Sequence, residues 1–209
     1  MKIFNAFAFC LFCLLYINSS FCEDEQVPVT CGSIIRLQNL ETLNHLHSHN
    51  INYGSGSRQQ SVTGLRNTDD TGSLWLVKGK HGTECPQGRI LANGDIIRLE
   101  HLTTRKNLHS HQYKSPLSNN QEVSAFGQNS RGDSGDNFEL VLENGKWYRD
   151  EEIILKHEST NSYLADSSIQ YGKPVQGQTE ICTLKNKDPQ SIKWKATYGI
   201  YFPAERNEI

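Results

Sequence analysis

"GSIIRLQNLETLNHLHSH" (residues 32–49) and "GDIIRLEHLTTRKNLHSH" (residues 94–111) lie over each other without a gap. Ile34 falls on Ile96, Ile35 on Ile97, Arg36 on Arg98, Leu37 on Leu99 and Leu46 on Leu108, an offset of 62 residues. A more worn third copy, "EEIILKHESTNSYLADS" (residues 151–167), puts Leu155 on Leu99, His157 on His101 and Leu164 on Leu108 at an offset of 56. Self-similarity at a nearly fixed period marks a repeat architecture, and it decides how every other motif is read.

The match continues beyond these stretches. Tyr53, Tyr113 and Tyr171 follow at similar distances, then a Gln-rich turn and an apolar position at Val62, Val123 and Ile181. Each copy closes on a large aromatic residue, Trp75, Phe138 and Trp194. Three copies of roughly sixty residues, about 29–82, 90–146 and 147–199, fill residues 23–199 and leave a tail at 200–209.

Within a copy the local signals are for strands. "SIIRLQ", "DIIRLEH" and "EIILKHE" are short, β-branched, roughly alternating and bounded by Gly, Asn, Ser or Asp. The plainest hairpin is "FELVLENGKWYRD", where Asn144-Gly145 suits the positive-φ pair of a two-residue type I′ turn. No long apolar stripe at 3.6-residue spacing appears. A single repeat of this size leaves one face wet and both edges open, so three must share a core about one axis. The expectation is an all-β protein, a β-trefoil; a three-bladed propeller is the weaker alternative, because three blades are too few to close.

Residues 1–22 read as a secretory signal peptide: one lysine, the apolar run from Ile3 to Ile17, then small and polar residues before Cys22. The run is shorter than the ~20 residues a membrane span requires. Cys10 and Cys13 form a C-x-x-C only inside this run, so it is a decoy for redox chemistry. Cleavage leaves 187 residues with a net charge of −3, which gives no electrostatic footprint for nucleic acid or anionic lipid. No membrane insertion is expected after cleavage. Cys31, Cys85 and Cys182 remain, enough for one disulfide and one free thiol, in a pairing these residues alone leave open. The sole Asn-x-Ser/Thr match, Asn18-Ser19-Ser20, lies in the signal.

The doubled His-x-His pairs are the obvious candidates for chemistry. On a strand, His47 and His49, or His109 and His111, point to one side and offer two imidazoles. A catalytic zinc needs a third protein ligand, and His45, His81 and His101 have no spacing that supplies one. Duplication also argues against a single active centre, so the motif reads as turn chemistry of the repeat. No G-x-S-x-G, P-loop or H-E-x-x-H occurs. The reading is therefore of no catalytic residue, no metal and no cofactor. Arg131-Gly132-Asp133 is the tripeptide integrins read, but it sits in an ordinary polar connector and is taken as a chance match.

"VTCGSIIRL", "LHSHNINYGSGSRQQSVTG", "NLHSHQYKSPLSNNQEVSAFG" and "WKATYGIYF" resemble the stromal cell-derived factor 2 family, whose three MIR repeats form a β-trefoil. The resemblance implies a non-enzymatic protein of the endoplasmic reticulum lumen. It implies association with an Hsp40-type J-protein and the lumenal Hsp70 in protein quality control, with a link to O-mannosylation, and with client proteins or glycans as further partners. It also implies that Cys31 pairs with Cys85, leaving Cys182 free. Where relatives carry two more cysteines, this chain has Ala92 and Glu143. Relatives usually end in a retrieval signal of the K-D-E-L kind; here Arg206-Asn207-Glu208-Ile209 is a degenerate version, which predicts leaky retention and partial secretion. The alternative to the chaperone-complex role is a carbohydrate-binding trefoil. In that reading Tyr53, Tyr113 and Tyr171 offer ring faces to sugars, with nearby His, Asn and Gln as hydrogen-bond partners. His47, His49, His109 and His111 complete the set of candidate binding residues.

Overall fold

The computed structural model describes residues 26–143, 145–186 and 190–204. The expected signal peptide at residues 1–22, Asn144 of the expected turn and the retrieval-like Arg206-Asn207-Glu208-Ile209 lie outside the described residues. Among the described residues there are twelve strands, four per repeat: β1 (Ile34–Asn39), β2 (His45–Asn52), β3 (Gln60–Leu65) and β4 (Trp75–Gly79); β5 (Ile96–His101), β6 (Asn107–Lys114), β7 (Gln121–Phe126) and β8 (Phe138–Leu142); β9 (Glu152–His157), β10 (Ser162–Gln170), β11 (Thr179–Leu184) and β12 (Lys193–Ile200). Short 3-10 turns at Thr71–Ser73 and Ser134–Asp136 precede β4 and β8. No helix among the described residues is long and apolar enough to cross a membrane.

The pairing closes two rings. β1, β4, β5, β8, β9 and β12 pair in that cyclic order, all antiparallel, into a six-stranded barrel. The hairpins β2–β3, β6–β7 and β10–β11 are joined through β3–β7, β7–β11 and β11–β3 into a triangular cap. This is the β-trefoil. Ring closure leaves the barrel no edge strand, which is why three repeats succeed where one would expose both its edges.

The leucine and aromatic positions fill the interior as three-fold sets. Leu37, Leu99 and Leu155, Leu46, Leu108 and Leu164, Val62, Val123 and Ile181, and Trp75, Phe138 and Trp194 are all fully buried in one cluster. Trp75 Nε1 donates to the Leu46 carbonyl at 2.8 Å, and Trp194 Nε1 to that of Leu164 at 2.9 Å, so two indoles tie the fourth strand of a repeat to its second. Cys31 and Cys85 form a disulfide that fastens the entry segment to the link between the first two repeats. Cys182 is a free, buried thiol on β11.

Candidate functional site

Six of the eight histidines divide into two structural jobs. The first belongs to a place the repeat alignment marks, at Asn39, His101 and His157, the last residues of β1, β5 and β9. His101 Nδ1 lies 2.8 Å from Thr104 Oγ1 and Nε2 lies 3.0 Å from the Gly72 carbonyl. His157 repeats this with Thr160 Oγ1 at 2.7 Å and the Gly135 carbonyl at 2.9 Å. Asn39 makes the equivalent link from its amide to the Ser191 carbonyl at 2.7 Å. Each side chain thus pins the turn of the preceding repeat. A carbonyl acceptor at Nε2 places the proton there and leaves Nδ1 to accept from the threonine hydroxyl, so the rings are neutral. Burial holds His101 down to about 4 and also lowers His157.

The second job belongs to the His-x-His pairs on β2 and β6. Their rings stand side by side, 5.3 Å apart for His47 and His49 and 5.4 Å for His109 and His111. Within each pair, however, the partners differ. His47 Nδ1 is 3.2 Å from Thr63 Oγ1, and Nε2 is 3.5 Å from Asp70. Burial, opposed by Asp70, pushes His47 down to about 4; burial lowers His49 and His45 as well. His109 Nδ1 is 3.0 Å from Asp136 and 3.6 Å from Asp133, whereas His111 Nε2 is 3.3 Å from Glu122. The third repeat has Ala165 and Ser167 at these two places.

His109, Asp133 and Asp136 hold ligand-type atoms within 4.8 Å of one another. Both carboxylates already work as caps: Asp133 accepts from the Gly135 N–H at 2.8 Å, and Asp136 accepts from the Asp133 N–H at 3.0 Å. This is a reciprocal capping box closing the 3-10 turn. Arg131 and Asp133 of Arg131-Gly132-Asp133 are exposed, whereas a Cβ at Gly132 would fall 1.8 Å from Asp136 Oδ2, so the tripeptide leads into this turn with its glycine held close.

The three tyrosines do not form one set. Tyr53 is buried, its hydroxyl 3.0 Å from the Val62 carbonyl and 2.8 Å from that of Val123, bridging two repeats. Tyr171 is half-buried beside it, and burial raises its hydroxyl. Tyr113 is 57% exposed and stands edge-on to His111. Strand register pairs Asn52 with Gln60, Lys114 with Gln121 and Gln170 with Thr179, so the counterpart of Tyr53 and Tyr171 is Ser115. Tyr113 instead shares its place with Ile51 and Ile169, both exposed.

Two buried carboxylates that the motif reading missed organise the cap. Glu122 on β7 takes the Ser57 hydroxyl and, at 3.4 Å, its N–H. Glu180 on β11 takes the N–H groups of Leu117 at 2.7 Å and Ser118 at 3.0 Å. Each binds the hairpin loop of the repeat before it. Cys182, two residues on, is pushed up to about 12, by burial first and then by Glu180, so it remains a thiol. Between the hairpins of the second and third repeats runs an open polar groove of about 600 Å³, whose walls include Gln112, Lys114, Asn119, Asn120, Gln121 and Lys185.

The MIR domain family model matches residues 36–193. A stromal cell-derived factor 2-like protein of Dictyostelium discoideum is 48% identical over 195 residues, 90% of this chain and 92% of that protein. The crystal structure of the SDF2-like protein from Arabidopsis thaliana superimposes with a TM-score of 0.83 at 41% identity, covering 86% of this chain and 100% of that one. A structure of the Saccharomyces cerevisiae protein O-mannosyltransferase Pmt1-Pmt2 complex bound to the sugar donor matches with a TM-score of 0.76 at 26% identity. That match covers 87% of this chain and 27% of the other.

Proposed function

The chain belongs to the stromal cell-derived factor 2 family of MIR-domain proteins, and from that premise we propose that it is a non-enzymatic protein of the endoplasmic reticulum lumen. There it acts in protein quality control as a partner of a J-protein and the lumenal Hsp70, in the same compartment and traffic as O-mannosylation. The observation that carries the reading is the extent of the match: relatives of the same size are aligned along nearly their whole length, trefoil on trefoil. The likeness to a chain of the O-mannosyltransferase complex supports the link to mannosylation, at the level of a shared module.

The site geometry supports a surface role over a chemical one. The buried imidazoles of His47 and His101 are held neutral by desolvation and committed to local partners, which suits them to fixing turns. Retrieval through Arg206-Asn207-Glu208-Ile209 belongs to the same proposal, with leaky retention as its consequence. Affinity purification of the tagged protein from the secretory fraction of its own cells is the test. Near-stoichiometric recovery of a J-protein and lumenal Hsp70 is expected. Recovery of neither, with glycoproteins released by free mannose instead, would overturn it.

A specific observation favours a second reading, carbohydrate binding: the amide-rich groove between the second and third hairpins has the polar walls a glycan needs. None of the three tyrosines lines this groove, so the reading rests on its amide side chains. A glycan array with the wild type and Asn119→Ala decides it.

A further inference from the structure

The three repeats place one residue of the third strand, just before Val62, Val123 and Ile181, against the hairpin loop of the preceding repeat. In the second repeat it is Glu122 and in the third Glu180, and both present a buried carboxylate to loop hydrogen-bond donors. In the first repeat it is Ser61. Its hydroxyl turns away to the Ile51 carbonyl at 2.8 Å, so among the described residues no side chain plays the carboxylate's part toward the third loop. A cavity of about 160 Å³ lies there, walled by Ser61, Tyr53, Tyr171, Gly172, Lys173 and Val175 among others.

Two further features show what this cavity accepts. Among the described residues, no acceptor takes the N–H groups of Gly172 and Lys173. Lys173 is also the one charged residue lining the cavity, and free amides beside a cation make a local field that favours an anion. The volume is below the ~300 Å³ at which drug-sized ligand pockets begin, so it fits a functional group on a short apolar stem and not a whole sugar chain. Val175, Pro174 and the tyrosine rings provide apolar wall for that stem.

We infer that the junction between the third and first repeats is a binding site for a carboxylate supplied from outside the chain, which completes the three-fold pattern that Glu122 and Glu180 complete internally. The carboxylate is that of a small organic acid or of an acidic side chain on a polypeptide. The site is independent of the chaperone partnership proposed above.

The test titrates the 15N-labelled protein, separately, with glutarate, with N-acetylglutamate amide placed within a capped tripeptide, and with inorganic phosphate. Saturable amide shifts at Gly172, Lys173 and Val175 are expected with both carboxylates. Tighter saturation by the tripeptide would identify the source as polypeptide, and by glutarate as a free acid. Ser61→Ala should keep the response, whereas Ser61→Glu should abolish it by putting the chain's own carboxylate in place, and this pair separates occupancy from misfolding. Equal shifts with phosphate, unsaturated shifts spread over the surface, or a response that persists in Ser61→Glu would overturn the inference.

Discussion

Lowering the pH from 7 to 5 should destabilise this protein in a way that can be traced to single buried histidines, His101 first. Its ring is fully buried, bonded to the Gly72 carbonyl and Thr104 hydroxyl, and held at about 4 against an ordinary 6.5. Between those two values the unfolded chain binds a proton that the folded chain refuses. Stability therefore falls as pH drops below about 6.5 and stops falling near 4. Integrating the linkage from pH 7 to 5 gives a loss of about 2 kcal/mol for one such group. His47, also at about 4, adds a similar amount, less whatever the two rings share through their mutual repulsion. Carboxylates contribute their own acid sensitivity, so the informative quantity is a difference. His101→Asn copies the first repeat, where Asn39 makes the equivalent link, and removes the titrating ring. Urea unfolding of wild type and variant at pH 7 and 5 should show the variant losing about 2 kcal/mol less than the wild type over that interval. Equal losses in the two proteins would refute the claim that His101 is buried neutral.

Other perturbations have equally definite outcomes. Replacing Cys31 and Cys85 by serine opens a loop with a sequence separation of 54, and thermal unfolding should report a loss of about 4 kcal/mol on the chain-entropy estimate. Gly127→Ala should cost more than about 2 kcal/mol in urea unfolding, because φ is +91° and the added Cβ would lie 1.9 Å from the Arg131 carbonyl oxygen. Cys182, buried and pushed up to about 12, should not react with a thiol reagent at pH 8 until denaturant is added; rapid labelling of the native protein would contradict its place in β11.

How much of this was legible in the chain depends on the range of the interaction involved. The leucine and aromatic triplets could be read because each repeat carries them at the same offset, and burial at the axis requires apolar bulk at all three. The tyrosines were misgrouped by counting similar distances. Keeping the strict offset of 62 from Tyr53 leads to Ser115, the counterpart the register shows, and the loops that follow differ in length between repeats. The anchoring role of His101 and His157 could not be read locally, because each acceptor carbonyl lies in the preceding repeat. Glu122 and Glu180 resembled ordinary polar strand residues. Only the closure of the cap turns them inward onto a neighbouring loop. The His-x-His motif looked most like chemistry and proved to be divided among separate local partners, Thr63, Asp70, Asp133, Asp136 and Glu122.

The role proposed for this trefoil is to bind chaperone partners through its surface. Its most direct test mixes the purified protein of residues 23–209 with a purified lumenal J-protein, with and without lumenal Hsp70, and follows sedimentation. The account predicts a saturable complex of defined stoichiometry that persists in excess free mannose. Sedimentation as an unassociated monomer at every concentration, alongside saturable glycan binding by the same preparation, would contradict it.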